Sequence, residues 1–141
     1  MGLDQYAHTI TKRGQKLRKE MLQLSSDKER QEFHKVTRLT NEVEEVCYWR
    51  KHANLNEWMT QLALRKGVVK DAVEFNCVDL VLEAEDIEQL DKIVNGTGLP
   101  KGAGFFWGRS TEADTENDRH FITVARKALA EGQQVIYSCW W

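Results

Sequence analysis

Three stretches of the chain carry apolar residues in the manner of β-strands. Residues 2–11 alternate between two faces, while residues 77–82 and 133–141 are rich in β-branched, aromatic and other apolar side chains. A basic stretch with a glycine at 12–14 ends the first of them, and Gly132 precedes the last. The pattern predicts strands near the start, in the middle and at the end of the chain.

Helical spacing of apolar residues marks three further segments. Residues 15–24 are good helix formers, and residues 83–94 end at Asn95-Gly96, which is a strong helix stop. A last helix is expected after Thr111, and it should run to Glu131.

The stretch from residue 28 to residue 66 contains neither proline nor glycine, and its apolar residues fit one broad helix face. It predicts either one very long helix or two. We favour a break near Thr40-Asn41, because Asn41 followed by Glu44 would start a helix well. Gly67 is the expected stop. The predicted face consists of Phe33, Val36, Leu39, Val43, Val46, Cys47, Trp58 and Leu62.

Within that stretch, the segment 45–58 is the first candidate site. Arg50 and Asn54 lie one turn apart and would project into the apolar stripe, where a guanidinium needs a partner. One interpretation is a structural ion pair with Asp4 or Asp79. The other is a pocket floor of Arg50 and Asn54 that grips an anion or a carbonyl group.

Tyr48 and Trp49 would lie on other sides of the same helix. Such aromatic residues either pack against a neighbouring sheet or, when exposed together, form a recognition surface. We expect any recognition by this helix to depend on these two residues.

The segment 102–110, which contains three glycines and the aromatic run at 105–107, is the second candidate site. Its glycines match neither the phosphate-binding loop of nucleotide hydrolases nor the dinucleotide-binding turn. Glycines beside bulky aromatics more often let a short strand pass close to other backbone. Together the two segments and their possible acid partner give the candidate binding residues Tyr48, Trp49, Arg50, Asn54, Asp79, Phe106, Trp107 and Arg109.

Composition narrows the class of protein. With 30% charged and 41% hydrophobic residues, 141 residues predict one globular α+β domain spanning residues 1–141, with about four helices on a sheet of three or four strands. The net charge of −2 gives no general case for nucleic-acid binding, although residues 12–19 are locally basic. No apolar run is long enough to cross a bilayer, and the first residues lack a signal-peptide pattern, so we expect a cytoplasmic protein.

Catalytic and metal-binding motifs are missing from the sequence. None of the four histidines lies in a motif that predicts a neighbouring thiol, hydroxyl or second metal ligand. The three cysteines are far apart and form no CxxC pair, so we expect free thiols rather than a zinc site or a disulfide. No catalytic residue, metal or cofactor is predicted.

Several short motifs resemble those of a family of small phage and bacterial proteins whose activity is not established. The motifs are MGLD-x-Y at 1–6, Tyr48-Trp49-Arg50-Lys51 followed by Trp58, a GFF-x-G run at 104–108, and a C-terminal Tyr137-x-x-Trp140. The resemblance is scattered over nearly the full length, and Asn56 stands where relatives tend to carry histidine. It implies a phage-type cytoplasmic accessory protein and supplies no mechanism.

These observations lead to two main functional hypotheses and a third, less favoured one, which is nucleic-acid binding through the basic residues of segment 12–19: Lys12, Arg13, Lys16, Arg18 and Lys19. The first is a non-enzymatic binding module for a host protein or a small ligand, with neither nucleic acid nor membrane as its partner. The alternative is a small hydrolase or nucleotide-processing enzyme in which Arg50 holds an anion beside a titratable residue such as Asp79, Cys77 or His52.

Overall fold

Four β-strands and five α-helices make up the part of the chain that the structure describes, which is residues 2–102, 104 and 107–141 of a computed structural model. The elements are β1 (Asp4–Ile10), α1 (Lys12–Leu22), α2 (Asp27–Thr37), β2 (Val43–Arg50), α3 (Ala53–Arg65), β3 (Leu80–Leu82), α4 (Ala84–Val94), α5 (Glu112–Ala130) and β4 (Gln134–Trp140). Short 3-10 turns occupy Leu39–Glu42 and Ala72–Phe75. The predicted α+β class is confirmed, with one helix more than expected. None of the described helices has the length and apolar character needed to span a bilayer.

The sheet has the strand order β2-β1-β4-β3, and every neighbouring pair is antiparallel. The first and last strands of the chain are therefore its two central strands. The predicted middle strand at 77–82 shortens to β3, because Cys77 adopts a φ of 63°, which lies outside the extended region.

One face of the sheet carries the core. Alternate residues of β1 point inward, as do Trp49 of β2 and Tyr137 of β4, which are 1% and 0% exposed. Their rings lie 6.2 Å apart, and the edge of Phe121 from α5 packs on Trp49 at 5.3 Å. The helical residues of this core come from α3, α4 and α5.

The opposite, outer face is only partly covered. Helices α1 and α2 lie over its Ile10 end, where they enclose a cavity of about 550 Å³ bordered by His8, Arg18 and His34. At the other end Tyr48 and Trp140 remain exposed, and Tyr48 packs against Tyr6 at 5.3 Å.

The long helical prediction for 28–66 is wrong in its centre, because residues 43–50 form a strand. Cys47 and Trp49 point inward and Tyr48 and Arg50 point outward, as in any strand. A β-bulge hides this alternation in the sequence: Cys47 pairs with Ala7 and Glu45 pairs with His8, so that Val46 has no partner. The extra residue brings Val43, Val46 and Cys47 into apparent helical spacing.

Two chain reversals in this stretch use residues other than glycine. Helix α2 ends at Arg38 with φ 54°, and Lys51 adopts φ 58° between β2 and α3. Left-handed conformations usually call for glycine, so a run without glycine gave no sign of either break. The predicted break near Thr40-Asn41 lies within the turn that follows α2.

Candidate functional site

A buried histidine, His52, lies in the connection between β2 and α3. Lys51 turns the chain, and His52 follows as the residue before the helix, with only 2% of its surface exposed. A polar ring in such a place requires partners for both nitrogens.

Both ring nitrogens of His52 have close partners. Nδ1 lies 2.7 Å from Ser110 Oγ, and Nε2 lies 2.8 Å from Asp118 Oδ2. An ionised carboxylate can only accept, so Nε2 donates to Asp118; in the neutral imidazole this tautomer leaves Nδ1 with a lone pair. The Ser110 hydroxyl, which accepts a 3.0 Å hydrogen bond from the N–H of Asn54, therefore directs its own proton at Nδ1. These contacts form a continuous serine–histidine–aspartate relay.

Asp118 is fixed from a second direction by the core. The indole Nε1 of Trp49 donates to Asp118 Oδ1 at 3.0 Å, so this side chain both packs the core and orients the acid. Burial raises the pKa of Asp118, although the hydrogen bonds from His52 and Trp49 oppose the shift. Asp114, one turn earlier on α5, approaches Nδ1 of His52 to 3.8 Å. The imidazole thus faces two carboxylates of one helix.

The backbone of His52 is held by a buried amide. Gln5 of β1 donates from Nε2 to the carbonyl of His52 at 3.1 Å and accepts from its N–H at 2.9 Å. The same Nε2 donates to the Tyr137 hydroxyl, which donates to Asn56 Oδ1, each over 2.8 Å. Burial raises the pKa of Tyr137 well above its usual value, so the phenol stays protonated. Asn56 Nδ2 is the one buried side-chain polar atom of the described residues without a partner.

The segment before α5 crosses the start of α3 closely. Gly102 donates its N–H to Asn54 Oδ1 at 2.9 Å, and a Cβ on Gly102 would lie 2.2 Å from the carbonyl oxygen of Ala53. Only glycine permits that approach. Gly102 and Ser110, each of which forms a hydrogen bond with Asn54, therefore both lie against the first turn of α3.

A cavity of about 500 Å³ opens beside the relay. Ser110, Asn54 and Thr115 contribute polar groups, and Val94 and Leu99 form an apolar wall. The volume lies in the range that small organic ligands occupy.

The predicted site residues divide between this cavity and the outer face. Asn54 borders the cavity, whereas Trp49 lies beneath it in the core. Arg50 was expected to face the core; its side chain is instead 52% exposed, and it pairs with Asp4 at 2.8 Å because the strand turns it outward. Tyr48 donates to the same carboxylate.

The remaining predicted residues lie elsewhere. Asp79 pairs with Arg18 of α1 on the outer face. Trp107 is buried and packs edge-on against Trp141 at 5.6 Å, while Arg109 is exposed. Phe106 falls outside the described residues. The structure therefore does not gather the predicted residues into one site.

From the sequence, Ser110 had no role beyond closing the second candidate segment, Asp118 was assigned to no site, and His52 was named only as a possible partner of Arg50. Ser110 and Thr111 were regarded as the start of α5, which Thr111 and Asp114 do cap. The one available signal was strand alternation at 47–50, which would have put His52 in a turn rather than in mid-helix.

Comparisons with family profiles, with curated proteins and with solved structures find no match to this chain.

Proposed function

We propose that the chain is a small hydrolase of the serine type, acting on carboxylic esters with Ser110 as nucleophile, His52 as general base and Asp118 as the residue that orients the base. The observation that carries the proposal is the relay from Ser110 Oγ through His52 to Asp118, with contacts of 2.7 and 2.8 Å beside an open cavity.

The proposed reaction is an acyl transfer to Ser110. As Oγ attacks the ester carbonyl, its proton passes to His52 Nδ1, and the positive imidazolium is stabilised by the ionised Asp118. His52 then delivers that proton to the departing alkoxide. Water then attacks the acyl carbonyl and gives a proton to Nδ1, and His52 returns that proton to Ser110 Oγ as the C–Oγ bond breaks and the acid leaves.

The start of α3 supports the same chemistry electrostatically. The N–H of Asn54 already donates to Ser110 Oγ, and the positive end of the helix dipole favours negative charge developing at that oxygen. The two ring nitrogens of His52 exchange the roles that they usually have in such triads, because Asp118 contacts Nε2 and Ser110 contacts Nδ1. Either ring nitrogen can act as the base once the other holds the proton.

Hydrolysis of p-nitrophenyl acetate tests the proposal. Ser110→Ala should lower kcat by on the order of 100-fold or more, the usual contribution of a nucleophile with its base. Ser138→Ala, which removes a serine from the outer face, is the matched control and should leave kcat unchanged. An imidazole alone can hydrolyse this ester, and the double variant Ser110→Ala with His52→Gln tests for that route. If the relay acts as a unit, the double variant should be no slower than Ser110→Ala, whereas a slower double variant would show hydrolysis by His52 alone. Unchanged turnover in Ser110→Ala, with the fold intact by circular dichroism, would refute the assignment.

A second candidate function is recognition through the open part of the outer face, as in the binding-module hypothesis. Its support is the exposure of Tyr48 and Trp140, at 42% and 58%, on the same face as the half-exposed Arg50. Tyrosine, tryptophan and arginine dominate binding hot spots. Affinity capture from a host lysate by the wild type, and its loss in Tyr48→Ala and Trp140→Ala but not Val36→Ala, would support this function. Equal capture by all variants would reject it.

A further inference from the structure

A second cleft lies between α3 and α4 and shares only Gly98 with the cavity beside the relay. It has a volume of about 690 Å³, and the polar side chains that border it include Arg65 from the last turn of α3 and Lys92 from the last turn of α4. Both side chains are exposed. The two helices thus bring two cations to one opening.

The charge of this cleft is one-sided. None of its described lining residues is acidic, and neither Arg65 nor Lys92 has a carboxylate within 4.0 Å among the described residues. Six other arginines of the described chain have such partners, and Arg38 and Arg109 do not. The six are Arg13, Arg18, Arg30, Arg50, Arg119 and Arg126. The cleft therefore presents two positive charges that no carboxylate contacts, although Lys92 also acts on Glu88 over a longer distance. Two such charges in a concave site attract an anion.

A cation at a helix C-terminus also has a purely structural use, since it complements the negative end of the dipole. That explains why each residue sits in a last turn. It does not require both to border one cleft, nor does it require the neighbouring carboxylates to be engaged elsewhere. The carboxylates nearest to Lys92 in sequence, Asp91 and Glu88, are held by Arg126 of α5. The nearest to Arg65 is Asp71, which caps the turn at Ala72–Phe75.

The rest of the cleft suits an organic body rather than a bare ion. Trp58, Ile93 and Pro100 give it an apolar wall. The loop between α4 and the crossing segment exposes backbone at Gly98, whose φ is 89° and whose missing Cβ would meet no atom within 4 Å. A ligand can therefore approach this backbone closely.

We propose that this cleft binds an organic phosphate, with the phosphate between Arg65 and Lys92 and an apolar group against Trp58 and Pro100. A phosphate dianion matches two cations, and the arginine fork can contact two of its oxygens. The assignment is independent of the hydrolase proposal, although both cavities border Gly98. Failure of either leaves the other standing.

Titration with phenyl phosphate, followed by ¹H–¹⁵N NMR, tests the site. The amides of Gly96, Thr97 and Gly98 should shift and saturate. Arg65→Gln and Lys92→Gln should each weaken binding by about tenfold, the usual size of one charge-assisted contact.

The control is a double variant, Lys16→Gln with Lys19→Gln, which removes two exposed cations of α1 and should leave the affinity unchanged. Inorganic phosphate should bind more weakly than phenyl phosphate, because it does not use the apolar wall, and phenol should not shift these amides. Shifts centred on α1, or equal affinities for Arg65→Gln and the control, would overturn the proposal.

Discussion

Removing the hydroxyl of Tyr137 tests whether the buried polar network stabilises the fold. This hydroxyl lies in a 0%-exposed side chain, accepts from Gln5 Nε2 and donates to Asn56 Oδ1, each over 2.8 Å. In Tyr137→Phe, Gln5 keeps its bond to the His52 carbonyl, whereas Asn56 loses the partner of its oxygen while its Nδ2 is already unpaired.

The expected loss of unfolding free energy follows from these hydrogen bonds. A buried acceptor left without a donor costs about 1–3 kcal/mol, and the ring itself keeps its packing against Trp49 and Phe75. For a chain of this length the loss corresponds to a decrease in Tm of roughly 3–10 °C. Urea unfolding followed by far-ultraviolet circular dichroism, with thermal melts beside it, measures both quantities.

Two further variants make the test specific. Tyr48→Phe removes a hydroxyl that donates to Asp4 on the exposed face, and it should change the unfolding free energy by no more than about 0.5 kcal/mol. Adding Asn56→Leu to Tyr137→Phe removes both unsatisfied ends of the amide, so the double variant should be more stable than Tyr137→Phe alone. If Tyr137→Phe cost no more than Tyr48→Phe, or if the double variant were the least stable, the reasoning about this network would be refuted.

Two other predictions concern thiols and surface charge. Burial raises the pKa of Cys47 and Cys139 to about 12, whereas Cys77 is exposed. Iodoacetamide at pH 8 should therefore label one thiol in the native protein and three in denaturant. Rapid labelling of all three thiols in the native state would contradict this. Hydrogen bonds from Arg126 hold the pKa of Glu88 below its usual 4.5, so this carboxylate stabilises the fold above that pH and loses its contribution as the pH falls through the lowered pKa. Urea midpoints from pH 7 to pH 3 should therefore decline less steeply in Arg126→Gln, and equal slopes would count against the pair.

The sequence predicted the elements that follow simple periodicity. The strands at both ends and the helices at 84–94 and 112–130 are found close to their expected bounds, because regular alternation or helical spacing marks each one. The elements around residues 38–52 could not be predicted in this way. There a bulge at Val46 disguised a strand, and Arg38 and Lys51 reversed the chain without glycine.

The same misreading hid the candidate site. In the predicted helix, Trp49 belonged to a recognition surface and Arg50 faced the core. In the strand the two are exchanged: Trp49 is buried and Arg50 is half exposed. Asp4, one of the two carboxylates expected as the partner of Arg50, does pair with it. The relay joins His52 to residues 58 and 66 positions further along the chain, and no local pattern records such contacts.

Labelling with a fluorophosphonate tests the central claim most directly, because this reagent phosphonylates a serine only when a base activates it. The account predicts one adduct per chain, located on Ser110 by peptide mass spectrometry, and its loss in both Ser110→Ala and His52→Gln, while Ser138→Ala is labelled like the wild type. The absence of an adduct in the folded wild type, or an adduct on another residue that survives Ser110→Ala, would contradict the account.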